Sequence, residues 1–122
     1  MLNLRPLDPA CPIQQQMQGT AKPVVLVNLF TVDEADVPAL MAAWEKDANW
    51  MKQQPGFLST QLHRAIGASC MFMNYALWDS VDDFRAAFSH PDFVAALAAY
   101  PSSAVAQPHL FMRVAVPNLC AG

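Results

Sequence analysis

Residues 70–78 read Cys70-Met71-Phe72-Met73-Asn74-Tyr75-Ala76-Leu77-Trp78. Side chains along a strand point alternately to opposite faces, and here both sets are apolar. Met71, Met73, Tyr75 and Leu77 form one; Cys70, Phe72, Ala76 and Trp78 form the other, interrupted by Asn74. Such a strand belongs in a sheet that is covered on both sides. Upstream, Phe57–Arg64 reads as its partner strand, joined through the Gly67-Ala68 turn region. Val24–Phe30 is a second strand with two apolar faces. Between these, Asp33-Glu34-Ala35-Asp36 places acids at a helix start, and Pro38 is tolerated only in a first turn. Val37, Leu40, Met41, Trp44, Ala48 and Met51 then recur at helical spacing, until Pro55-Gly56 stops the helix near Gln54. Downstream, Val81–Phe88 and Asp92–Tyr100 are short helical pieces separated by Ser89-His90-Pro91, and Pro108–Val116 is expected to form the last strand.

The order β-α-β-β-α-β makes two split βαβ units, the ferredoxin-like arrangement of the α+β class. It predicts a four-stranded antiparallel sheet with both helices on one face. The other face is then bare yet apolar, and the economical cover is the same face of a second copy, giving a homodimer. Residues 1–22 are rich in Pro and Gln and lack periodicity, so they are expected to be a flexible arm or one that lies on a partner. Residues 23–118 form the single domain and 119–122 a tail.

Composition narrows the function classes. At 122 residues with 54% hydrophobic and only 14% charged residues, the chain is far from a disordered composition. Low charge is also what an apolar surface buried in a partner subunit would produce. The seven basic residues are scattered and the net charge is −3, so the basic footprint of a nucleic-acid binder is missing. No stretch approaches the roughly 18 apolar residues of a membrane span. Pro6, Asp8, Pro9 and Pro12 interrupt any apolar run near the start, and Cys11, Cys70 and Cys120 are odd in number and widely spaced. Both features fit a reduced cytoplasmic setting. Nucleotide-binding glycine motifs, HExxH, a clustered Cys/His metal set and a GxSxG elbow are all missing.

Polar residues inside apolar strands are the informative ones, because a buried unpaired amide or imidazole costs about 1–3 kcal/mol. Asn28 and Asn74 are two of these. A two-residue turn at Gly67-Ala68 would set His63 opposite Phe72, Gln61 opposite Asn74 and Phe57 opposite Trp78. Ser59, Gln61, His63, Asn74 and Trp78 would then share one face, an aromatic slab with amides and an imidazole suited to a flat oxygenated aromatic. Each residue also has a plainer reading: Asn74 as a structural hydrogen-bonding group, Trp78 as core, His63 and His109 as partly exposed strand residues, His90 as a helix cap. Trp44 belongs to the core stripe of its helix, whereas Trp50, six residues on, faces a pocket or a partner. Asp82 and Asp83 sit at a helix start, where they complement its dipole.

Val27-Asn28-Leu29-Phe30, Gln54-Pro55-Gly56-Phe57, Leu62-His63-Arg64, Asn74-Tyr75-Ala76-Leu77-Trp78 and Phe84-Arg85-Ala86-Ala87 occur in an order and spacing that resemble the antibiotic biosynthesis monooxygenase family of dimeric α+β barrels. The resemblance spans 23–116. The resemblance is specific for the fold and only loosely tied to activity, since the family also holds haem-degrading and quinol-oxidising enzymes. In its cofactor-free branch, an aromatic polyketide is oxidised by O₂ without metal or flavin, and an Asn and a Trp on the third strand hold the substrate oxygens; these map to Asn74 and Trp78. Phe84 stands where that branch has a Tyr. In the haem-degrading branch, Asn28 matches a first-strand Asn, while Phe88 falls where a His is used. The resemblance thus implies a cofactor-independent oxidoreductase acting on an aromatic or quinol-like molecule with O₂. Asn74 and Trp78 would be donors to the substrate anion, and His63, whose ordinary pKa is nearest neutrality, a candidate base. Asn28, Gln61, Phe84 and Trp50 complete the candidate substrate contacts, with no metal ligands. A non-catalytic ligand-binding or structural dimer, or an isomerase of a related barrel, are the alternatives.

Overall fold

The computed structural model describes residues 1–122. Its chain runs β1 (Asn3–Leu4), α1 (Ile13–Gln16), β2 (Val24–Thr31), α2 (Val37–Met51), β3 (Phe57–Arg64), β4 (Met71–Trp78), α3 (Val81–Phe88), α4 (Pro91–Ala96) and β5 (Val105–Phe111). The ferredoxin-like α+β fold is present, but the sheet has five strands rather than four, in the order β1-β5-β2-β4-β3. The four long strands pair antiparallel, and β1 adds to the β5 edge in parallel.

Local chemistry accounts for the helices. Pro38 lies in the first turn of α2, where its missing N–H goes unneeded. Ser80 caps α3 by accepting from the Asp83 N–H at 3.1 Å, and its hydroxyl donates to the Asp83 carboxylate at 3.0 Å. His90 caps α4 through Nδ1, which accepts from the Asp92 N–H at 3.0 Å. Gly56 turns the chain into β3 at φ +84°, where a Cβ would sit 2.3 Å from the Asp83 carboxylate, so glycine is required there.

On the helix-covered face of the sheet the cross-strand pairs run Phe30–Phe72, Asn28–Asn74, Leu26–Ala76 and Val24–Trp78. The apolar pairs belong to two separate buried clusters. One gathers Phe30, Phe72, Leu40, Ala43 and Tyr100, and the other Val24, Leu26, Ala76, Trp78, Phe84 and Leu110. The amide pair lies between them. A polar layer thus splits the core where the sheet meets the helices.

Three further expectations are corrected. First, residues 1–22 are not a free arm: Leu2, Ile13 and Met17 are buried in the protein's own core. The arm straps the β5 edge, with the Arg5 N–H donating to the Ala106 carbonyl at 2.9 Å. Further along, the Gln16 amide accepts from the Leu110 N–H at 2.9 Å and donates to the Leu110 carbonyl at 3.0 Å. These contacts satisfy backbone groups that an open edge would offer to other chains.

Second, the last strand is Val105–Phe111, not 108–116, and Pro108 lies inside it. Ala106 and Leu110 turn their backbone groups toward the arm, so Pro108, midway between them, has its missing N–H on that outer side and interrupts no bond to β2.

Third, the β3–β4 register differs. Leu62 lies opposite Asn74, Gln61 opposite Tyr75 and His63 opposite Met73. The Ala65 N–H still bonds the Met71 carbonyl, so the connection is longer than a two-residue turn. Phe57 does pair with Trp78, because a bulge between Phe57 and Ser59 takes up the one-residue difference at Leu58. A one-residue slip moves every side chain to the opposite face.

Candidate active site

A cavity of about 60 Å³, open at its mouth, lies between the helix-covered face of the sheet and helices α2, α3 and α4. Its sheet side presents Leu26, Asn28, Phe30, Asn74, Ala76 and Trp78. Aromatic rings make much of the remaining wall. Phe84 lies edge-on to Trp78 with centroids 5.8 Å apart and stacks on Phe88 at 5.1 Å, and Phe57 meets Trp78 edge-on at 5.4 Å. Leu2 and Leu4 of the arm also line the cavity.

Within these apolar walls are a few polar groups. Asn28 and Asn74 are direct cross-strand neighbours on the floor, a placement that brings their Cβ atoms to roughly 5 Å. The Asn28 Oδ1 is buried and has no hydrogen-bond partner. Asn74 Oδ1 accepts a short hydrogen bond from the Thr60 hydroxyl. That bond orients the amide and leaves its NH₂ for the cavity. Buried polar atoms of folded proteins are nearly always paired, so this orphaned amide oxygen leaves the cavity floor with unmet hydrogen-bonding capacity.

The second polar element is Asp47 on α2, the one buried charged residue of the chain. The Tyr100 hydroxyl donates to its Oδ2 at 2.6 Å, and both residues line the cavity. Burial pushes the Asp47 carboxyl above its ordinary range, against the opposing pull of the Tyr100 hydrogen bond and the Lys46 charge. Burial, then the neighbouring Asp47 charge and hydrogen bond, hold the Tyr100 phenol far above its usual value, so it stays a donor.

Of the residues singled out by sequence, Asn28, Asn74, Trp78 and Phe84 come together here. Gln61 and His63 do not. The observed register turns them to the outer face of the sheet, where the Gln61 amide donates to the Leu62 carbonyl and His63 Nδ1 lies 3.2 Å from the Met73 carbonyl oxygen. His63 is therefore not a base for this cavity. Trp50 lies outside it as well, against His90 and Phe93 with ring centroids 5.1 and 6.3 Å away, lining a surface groove. Sequence reasoning missed Thr60, Asp47 and Tyr100. Asp47 had a signal: it continues the helical stripe of Leu40, Ala43, Trp44, Ala48 and Met51, and a carboxylate on the buried face of a helix calls for a reason.

Fold and site together define a ferredoxin-like α+β domain that holds an aromatic-walled cavity between its sheet and helices. Residues 23–99 match the model of the antibiotic biosynthesis monooxygenase family, and the chain belongs to that family. Among solved structures it resembles SnoaB, a cofactor-independent oxygenase from Streptomyces nogalater, with 28% identity and a TM-score of 0.71 over 80% of this chain and 99% of that one. A candidate monooxygenase from Shewanella loihica is 35% identical, with a TM-score of 0.67 over 80% of this chain and 100% of that one. No curated protein matches the sequence. No helix is long and apolar enough to cross a membrane.

Proposed function

We propose that the protein is a cofactor-independent oxygenase that oxidises a planar, oxygenated aromatic of the anthrone or naphthol type with O₂. The observation that carries this reading is the amide pair Asn28–Asn74 on the floor of an aromatic cavity beside Trp78. Once such a substrate loses a proton, it becomes an electron-rich anion able to pass an electron to O₂. The chain's part is to bind the ring system between Trp78 and the phenylalanines, hold the anionic oxygen with amide and indole N–H groups, and exclude water. For anthrone the balance is anthrone plus O₂ giving anthraquinone plus water: the methylene carbon loses two hydrogens and gains one oxygen, and the second oxygen atom leaves as water. SnoaB, a cofactor-independent oxygenase, supports the reading.

The test is oxygen uptake with anthrone in an oxygen electrode, alongside Asn74→Ala. Uptake above the buffer blank is expected, with kcat/KM lowered tenfold or more in Asn74→Ala, since a lost donor to developing negative charge typically costs about 2.7–4 kcal/mol. Binding of anthrone without uptake would favour a ligand-binding role instead.

The working unit in this reading is a homodimer. Met71, Tyr75 and Phe111 stay 38%, 38% and 45% exposed on the outer sheet face, which the helices leave uncovered. A second copy of that face is the cover proposed for it.

A further inference from the structure

We propose that Asp47 is the proton acceptor of this cavity, taking the proton of a bound phenol or activated methylene and releasing it to the surface groove between α2 and α4. The inference rests on the oxygenase reading for its substrate class, but its own step needs no oxygen. In that step the substrate O–H or C–H bond breaks, its electron pair stays on the substrate, and the proton bonds to a carboxylate oxygen of Asp47, giving the neutral acid.

Position carries the argument. Asp47 and Tyr100 are the ionisable side chains that line the cavity. The Tyr100 phenol cannot serve as a base, because it is held protonated and already donates to Asp47. The carboxylate has one oxygen, Oδ2, engaged by that hydroxyl, and Oδ1 is left to receive a proton. Asp47 also lines the surface groove between α2 and α4, together with Lys46, Trp50, Asp92 and Phe93. Of the ionisable side chains it is thus the one that borders both the cavity and the groove, and so offers the proton a way to the surface. Lys46 and Asp92 are the charged groups that share the groove with it, and the Met1 ammonium donates to the Tyr100 backbone carbonyl at 2.8 Å. A carboxyl moved up by burial is also a better base toward a weakly acidic substrate than an ordinary surface carboxylate. Tyr100 is the positioning residue: its hydrogen bond fixes the carboxylate and favours the charged form.

The experiment follows anaerobic exchange of the anthrone methylene hydrogens for deuterium by NMR, with oxygen uptake measured on the same preparations. Wild-type protein is expected to accelerate exchange over buffer, with a rate that falls on acidification along a limb set by one group. Asp47→Asn keeps the acceptor for Tyr100 and should lower exchange about 10²-fold, abolish the acid limb and leave anthrone affinity within about twofold. Tyr100→Phe removes the hydrogen bond that favours the carboxylate, so its acid limb should move to higher pH. This variant decides the matter if Asp47→Asn does not fold, and an unmoved limb overturns the proposal. So does a loss smaller than tenfold in Asp47→Asn, or a wild-type protein that does not exceed buffer. Exchange without oxygen uptake would instead overturn the oxygenase reading and support the proton acceptor. Uptake with exchange undiminished in Asp47→Asn would do the reverse.

Discussion

Asn28→Leu separates a ligand-binding amide from a structural one, because the two roles forecast opposite signs. In the free protein the Asn28 Oδ1 is buried without a partner, and such a group carries a desolvation penalty of about 1–3 kcal/mol. Leucine has nearly the same length, lacks the amide, and would sit between the apolar pairs Phe30–Phe72 and Leu26–Ala76. Part of the gain is offset by fitting a branched chain beside Asn74, so the expected stabilisation is about 1–2 kcal/mol. For a domain of this size that corresponds to a rise in Tm of roughly 4–8 °C. Urea unfolding followed by circular dichroism should show a higher midpoint at an unchanged slope. Oxygen uptake with anthrone should fall at least tenfold in the same variant, since a floor group that binds the substrate oxygen is gone. A variant destabilised by more than about 1 kcal/mol with uptake intact would refute the reasoning and make Asn28 a structural residue.

Asp47→Asn should raise stability near neutral pH and leave it unchanged in acid. The Asp47 carboxyl is raised above its unfolded value of 3.8 in the folded protein, so its contribution is fully present below 3.8 and is lost as pH rises through the folded value. Urea midpoints of wild type and variant that stay parallel from acid to neutral pH would contradict this. The proposed dimer predicts a light-scattering mass near twice 13.4 kDa at micromolar concentration, and Tyr75→Glu on the outer face should shift it toward the monomer. A wild-type monomer of ordinary stability would exclude it.

The ferredoxin-like order, the two-sided strands, α2 and the amide positions in β2 and β4 were legible in the amino-acid sequence. Each of these is written in local periodicity: alternation in Met71–Trp78, the helical stripe from Leu40 to Met51, the polar interruptions Asn28 and Asn74. Even the caps Ser80 and His90 act within three residues of themselves. Register was not written there. A longer connection after Arg64 and a bulge at Leu58 turned His63 and Gln61 away from the cavity while keeping Phe57 opposite Trp78. Both possible registers satisfy the alternation of β3, because its two faces differ little in polarity. The arm was illegible for a related reason: Leu2, Ile13 and Met17 have no period, and their burial depends on an edge strand about a hundred residues away. Only the tertiary structure brought Tyr100 to Asp47, 53 residues apart in the chain. Packing α2 against the segment after α4 joined them, and that long-range contact gave an acid on an apolar helix face its hydrogen-bond partner at the cavity wall.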